Sequence, residues 1–560
     1  MSKKSSPPVV ENTAPTSPAR RSFMNKMGGA AAASVTVGAV GIPALLTPST
    51  AKAAVTPQGA NASNIRAEKA YKIREAAAKY HLNKPPAPHP DNGDEQLYAN
   101  RLASYSKGLE HNAYGEVNLN AYNSMKKALI SGLPADFEAI QLKGGRKLTN
   151  PQAGLAFDME GADSHELTLK PAPTFSSAEN AGEIVENYWM ALLRDVPFDQ
   201  YSSNSLAAAA VADLNRMSDF RGPRENGLVT PQTLFRADLP GATTGPWLSQ
   251  FLMMDCPYGA NYIEQKIKTA TPGLNYVTDP VIWAAVQDGV PQGPDSFAQD
   301  RRYIISGRDM GQWVHVDVLW QAYFMSCLVM DSMGVPLSAT NPYKNSATQA
   351  GFATFGGPAI KTLLVEVATR ALKAIWYQKW FVHLRERPEA FAGHVHFQLK
   401  GQRNYPIHSD VLNSDAVQQI ASANGGNFFL PQAFPEGSPT HPAYGAGHAT
   451  VAGACVTIIK AFYDGSYVLP APVVAATDGS SISATYSGAP MTVNGELNKV
   501  AGNVAFGRNI AGVHWRSDGK ESLTLGEHVA INLLKDTKRT FNEDFSGFTF
   551  ERFDGSTITV

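Results

Sequence analysis

The chain has 560 residues, with 48 Lys plus Arg against 49 Asp plus Glu, and the net charge of −1 gives no support for a nucleic-acid partner. This length holds two or three domains, or one large core with an elaborated periphery; 43% hydrophobic residues with 47 Gly and 37 Pro describe a loop-rich globular enzyme. Three scattered cysteines, Cys256, Cys327 and Cys455, exclude a disulfide scaffold and a Cys-based zinc site but leave one disulfide open.

The N-terminus reads as a targeting segment. Arg20-Arg21-Ser22-Phe23-Met24 precedes a mildly apolar stretch over 28–46, and Ala51-Lys52-Ala53 is a small-x-small cleavage pattern. Paired arginines before such a stretch resemble a twin-arginine export signal, so residues 1–53 are expected to be removed and the mature chain to be periplasmic or secreted. A membrane anchor is the alternative, but Gly, Ser and Pro43 dilute the apolar run, and the mature form is expected to have no membrane span.

Strong helix formers over 61–82 predict a helix, followed by the proline-punctuated loop 83–94. Helices are expected at 96–107, 114–131, 177–193 and 205–216, with short strands near 166–170. The Gly- and Pro-rich stretch 220–276 reads as a long irregular connection bordering a pocket. Beyond it the chain is densely helical, at 279–287, 296–304, 311–333, 359–387, 410–423, 449–463, 497–511 and 520–538. Alternation around Asp554-Gly555 predicts a terminal β-hairpin. The expected fold is mainly α, helices packed as bundles with minor β-hairpins, an N-terminal helical region over 54–240 and a bundle core over 241–560.

Three stretches carry chemistry. In P-T-H-P-A-Y-G-A-G-H-A-T (439–450), Gly445 and Gly447 lead into an apolar helix, so His448 stands at a helix N-terminus, a ready site for a tetrahedral oxyanion. The 359–387 stretch carries Trp376, Lys379 and, before Pro388, Arg387; eight residues apart, the two cations fit one side of a helix. In G-R-N-I-A-G-V-H (507–514), Gly512 offers a helix stop after which His514 turns back toward Arg508. Together, Lys379, Arg387, Arg508 and the Gly447 amide would neutralise a highly charged oxyanion, with His448 and His514 as acid/base and ligand or nucleophile. Taken singly, each has a plainer reading as a solvated cation or a satisfied core histidine. His394-Val395-His396 reads as a satisfied polar pair on a strand or loop rather than a metal pair.

These three spaced motifs resemble those of the vanadium-dependent haloperoxidases, which share their anion site with type 2 phosphatidic acid phosphatases and bacterial acid phosphatases. The flanks G-F-A-T-F-G-G-P (351–358), V-A-T-R-A-L-K-A (367–374) and P-E-G-S-P-T-H-P (435–442) are similar to the bromoperoxidase branch, and the resemblance runs from about Asp309 to Glu527. It implies vanadate coordinated by His514 and held by Lys379, Arg387, Arg508 and Gly447, with His448 as acid/base and Lys379 polarising the peroxide. It further implies oxidation of bromide or another halide by hydrogen peroxide to hypohalous acid, halogenation of a small organic acceptor, and a homo-oligomer. Asp317, with Asp309 as competitor, is the expected carboxylate orienting one of the arginines.

The chain departs from the family at Ala446, where most members carry a vanadate-bonding serine. Near the halide, His441 matches bromoperoxidases, whereas Trp376 stands where algal bromoperoxidases have arginine and fungal chloroperoxidases tryptophan; bromide is favoured, with chloride possible. The stretch 341–349 lacks the carboxylates of a calcium loop, so no calcium is expected there. The competing reading is an exported acid phosphatase, His514 attacking phosphorus and His448 protonating the leaving group. A non-catalytic oxyanion-binding protein, motivated by Ala446, is the third.

Overall fold

The apolar helices sort into a bundle because most of their faces must be covered. In the computed structural model, which describes Gly59 and residues 62–560, helices of eight residues or more run in chain order as α1 (Ser63–Leu82), α2 (Leu119–Ser131), α3 (Ala178–Leu192), α4 (Ser205–Arg216), α5 (Pro280–Gln287), α6 (Gly307–Val316), α7 (Gln321–Ser332), α8 (Gly357–Tyr377), α9 (Pro388–Leu399), α10 (Asp415–Ala423), α11 (Gly447–Phe462), α12 (Val493–Ile510) and α13 (Arg516–Lys538). Among the described residues, four two-stranded antiparallel sheets are appended: β1 (Cys256–Tyr258) with β2 (Asn261–Ile263), β3 (Ile267–Ala270) with β4 (Phe297–Arg302), β5 (Val473–Ala475) with β6 (Ile482–Thr485), and β7 (Thr549–Glu551) with β8 (Thr557–Thr559). The fold is mainly α, as expected. Residues 69–560 form one compact unit. The expected signal segment 1–53 lies outside the described residues.

Helix α11 is the centre of the bundle, packed against α13, α8 and α12. Every residue of α11 is buried except His448. Each buried Val or Ile on it contributes about 1.5–3 kcal/mol relative to exposure. The α11–α13 approach depends on two glycines. A Cβ on Gly453 would stand 2.0 Å from the Leu523 carbonyl oxygen, and one on Gly526 2.0 Å from that of Thr450. Buried Cys256, Cys327 and Cys455 are free thiols, so the open disulfide is absent. Among the described residues, no helix is long and apolar enough to cross a membrane.

Several local expectations fail for identifiable reasons. The helix expected at 96–107 shrinks to Asp94–Leu97 followed by turns, its backbone instead donating from Tyr105 to the Leu384 carbonyl and accepting at the Ala103 carbonyl from the Glu386 amide. Residues 166–170 form no strand; Asp163 instead caps a 3₁₀ turn over Ser164–Glu166. The 296–304 stretch is strand β4 rather than helix, because pairing with β3 overrides local propensity, with Lys268 Nζ 4.0 Å from the Phe297 ring centre. The predicted 410–423 helix breaks into Ser409–Leu412 and α10, where Ser414 caps Val417. His394 and His396 lie on α9, not a strand: His396 Nδ1 accepts from the Phe428 amide and His394 Nε2 lies 3.4 Å from Glu386. The two interruptions that matter most shape the site.

Candidate active site

The continuous helices predicted over 359–387 and 311–333 are both broken. After α8 the chain widens into a π-helical turn, Gln378–His383, and reverses at Leu384 (φ 44°). Pro388 disfavours α conformation in the residue before it, so Arg387 is extended (φ −86°, ψ 153°) and Pro388 starts α9. Lys379 and Arg387 therefore meet across a reversal, not along one helix face. Similarly, α6 ends at Asp317, which is extended (φ −62°, ψ 147°) and turns its carboxylate toward α11.

Trp376, His441, Gly447, His448, Arg508 and His514 line one cavity of about 700 Å3, with Lys379 and Arg387 buried behind its wall. The Glu436–Ser438 loop is pinned by Glu389, which accepts from the Ser438 amide (2.6 Å), and by Lys107 Nζ on the Glu436 and Ser438 carbonyls. His514 Nδ1 lies 2.7 Å from Asp518 Oδ2, and Asp518 in turn accepts from the Trp515 amide and Arg385. A carboxylate opposite Nδ1 fixes the proton there, leaving a lone pair on Nε2. Arg387 NH1 donates to that Nε2 at 3.0 Å, while its Nε bonds the His441 carbonyl and its NH2 bonds His441 Nδ1 at 2.9 Å. Lys379 spends two of its three N–H donors on the Pro442 and Ala443 carbonyls. Arg508 gives NH1 to the Val314 carbonyl, and its buried Nε has no hydrogen-bond partner among the described residues.

This cluster is electrically incomplete. Burial, then the neighbouring Arg387, holds Lys379 well below the usual lysine range, and burial lowers Arg387 and Arg508 to about 10. Burial likewise keeps His514 and His441 well below the ordinary imidazole value, so both are neutral. At the same point α11 begins at Gly447 with no side-chain cap from Ala446, leaving first-turn amides open. Three cations, an orphaned guanidinium N–H and a helix N-terminus around a neutral imidazole lone pair fit a tetrahedral oxyanion such as vanadate.

His448 Nε2 bonds Asp317 Oδ1 at 3.0 Å, leaving Nδ1 as its free ring nitrogen. The expectation that Asp317 or Asp309 orients one of the site arginines is therefore corrected. Asp317 acts on Arg508 only through space, and Asp309 pairs with Arg302 at 2.8 Å. Backbone carbonyls of His441 and Val513 do most of the positioning of Arg387. Trp376 packs on His441 with ring centres 4.9 Å apart, and its Nε1 donates to the Thr149 carbonyl. Sequence reasoning missed Asp518, Arg385 and the cavity-lining His315, Phe434 and Glu436. Asp518 had a signal: it lies four residues after His514, within reach across one turn.

Ala446 is fully buried and its amide donates to Ser522 Oγ at 2.9 Å. A serine there would add a hydroxyl at the N-cap of α11, beside Gly447. Ala446→Ser is expected to tighten vanadate binding by about 0.5–3 kcal/mol; unchanged affinity in calorimetric titration would mean the hydroxyl's role is already filled.

A family model described as the VCPO second helical-bundle domain matches residues 364–543. Over 90% of this chain and all of the relative, the sequence is 35% identical to a vanadium-dependent bromoperoxidase of Corallina pilulifera. It is 33% identical to another from Ascophyllum nodosum, covering 89% of this chain and 93% of the relative. The solved homohexameric structure of the second vanadate-dependent bromoperoxidase of Ascophyllum nodosum superposes with a TM-score of 0.86 at 32% identity, covering 92% of this chain and 94% of that one. With identity at this level along nearly its whole length, and with the three motifs gathered in one cavity, the chain belongs to the vanadium-dependent bromoperoxidase family.

Proposed function

We propose that the protein is a vanadate-dependent haloperoxidase that oxidises bromide with hydrogen peroxide to hypobromous acid, which halogenates a small organic acceptor. The observation that carries this reading is the His514 Nε2 lone pair, ringed by Lys379, Arg387 and Arg508 and sharing a cavity with the Asp317-held His448. His514 would ligate vanadium, and Lys379, Arg387, Arg508 and the Gly447 amide would hold the oxyanion. Bound vanadate supplies a Lewis acid that activates peroxide toward halide without itself changing oxidation state. His448 Nδ1 takes a proton from hydrogen peroxide, and Asp317 balances the imidazolium formed. The third N–H of Lys379, left over after the Pro442 and Ala443 carbonyls, would donate to the bound oxyanion. His441 and Trp376 would flank the halide; His441, neutral and hydrogen-bonded to Arg387, offers no competing negative charge. Export by the twin-arginine pattern and assembly into a homo-oligomer, as in the homohexameric relative, belong to the same reading.

The test is to incubate metal-free protein with vanadate, peroxide and bromide and follow bromination of a phenolic dye. Vanadate-dependent turnover is expected. Its absence, together with a phosphatase activity that vanadate inhibits, would sink the reading.

A further inference from the structure

The cavity is lined by a fourth histidine, which the chemistry above does not use. His315, in the last turn of α6, lines the same space as His448 and stacks on Phe434 with ring centres 3.7 Å apart and planes 10° off parallel. Its Nε2 lies 2.9 Å from Glu436 Oε1. Its Nδ1 lies 3.2 Å from Asp295 Oδ2, at ion-pair distance though not aligned as a hydrogen bond. An imidazole with a carboxylate against each nitrogen is best satisfied as a doubly protonated ring. Among the described residues, Glu436 is the only carboxylate lining the cavity. Its own backbone carbonyl is held by Lys107 and Arg146, and its charge also reaches Arg508. Burial pushes Glu436 up, but the hydrogen bond from His315 leads the effects that hold it below the ordinary carboxylate range. The side chains of His315, Asp295 and Glu436 keep 17%, 18% and 29% exposure, enough to exchange protons with water.

Halide oxidation needs such a group. In X⁻ + H₂O₂ + H⁺ → HOX + H₂O, the halide gives up two electrons, the O–O bond breaks as the O–X bond forms, and the released oxygen leaves as water. His448 can borrow and return a peroxide proton, but one further proton must enter in every turnover. We propose that His315, held between Glu436 and Asp295, is the donor that carries this proton from solvent into the cavity, a role that rests on the haloperoxidase reading.

The test uses His315→Gln and Glu436→Gln in the full chain, each saturated with vanadate. Vanadate retention is expected to stay at the wild-type level. At high pH, where free protons are scarce, kcat is expected to fall about 100-fold, with recovery toward low pH, a larger solvent isotope effect and rescue by added imidazole. In ¹⁵N-histidine NMR of the vanadate-free full chain, His315 is expected to be doubly protonated at neutral pH, and to lose that state in Glu436→Gln. Variants with wild-type pH profiles and isotope effects, or a neutral His315 in the wild type, would overturn the proposal. So would loss of vanadate retention, which would make the role structural. A wild type without halide oxidation sinks the haloperoxidase reading and this role with it, whereas an active wild type with unaltered variants sinks this role alone.

Discussion

Replacing His514 by alanine is expected to abolish vanadate retention and, with it, all halide oxidation. The imidazole is buried at the cavity wall, its tautomer is set by Asp518 at 2.7 Å, and its Nε2 is a neutral lone pair within a ring of cations. Partners one step behind a ligand are typically worth about 10–100-fold in affinity, so removal of the ligand itself should cost more than about 100-fold. Vanadium content after dialysis reads this directly. Asp518→Asn, which leaves the ring in place but unsettles its proton, should fall between wild type and His514→Ala. Both substitutions also disturb a buried network. Arg385 bridges Asp518 to Glu183 at 3.0 Å, so thermal unfolding should be followed alongside. A folded His514→Ala protein that keeps vanadate at wild-type affinity would remove His514 as the ligand and leave the cations as the whole site.

How far this site was legible in the chain depends on how each residue reaches it. His448 was legible because its place follows from local rules: glycines, then an apolar helix, then a polar residue at the first turn. Burial of all α11 except His448 is the three-dimensional form of that pattern. Lys379 and Arg387 were legible as a pair but not in their geometry. Eight residues suggested one helix face, whereas the π-turn and the reversal at Leu384 bring them together. That break answers to tertiary demands on Arg385 and Arg387, which must reach Glu183, Asp518 and His514 from remote segments. Asp317 was read as a carboxylate orienting an arginine, whereas ending α6 at that residue lets it face His448 on α11 instead. Strand β4 was misread for the same kind of reason: its partner β3 lies about thirty residues upstream. His315 and Glu436 were not legible at all, since nothing local ties a histidine on α6 to a glutamate in the loop before His441.

That change of partner makes Asp317→Asn the sharpest remaining test. A carboxylate that orients an arginine should, when neutralised, weaken vanadate binding. A carboxylate bonded to His448 should instead lower turnover and leave the oxyanion in place. The 3.0 Å contact to His448 Nε2 supports the second outcome. Arg508 keeps its bond to the Val314 carbonyl whether or not Asp317 is charged. His448→Ala, which deletes the acid/base itself, is expected to lower kcat by about 10²–10⁴-fold at saturating vanadate. Asp317→Asn should lower kcat by less, because the amide can still accept from Nε2 but no longer balances the imidazolium. If the two residues act as one unit, adding Asp317→Asn to His448→Ala should cost almost nothing further. Additive losses would mean that Asp317 works through a different group, and a fall in vanadate affinity with kcat intact would return it to the arginines.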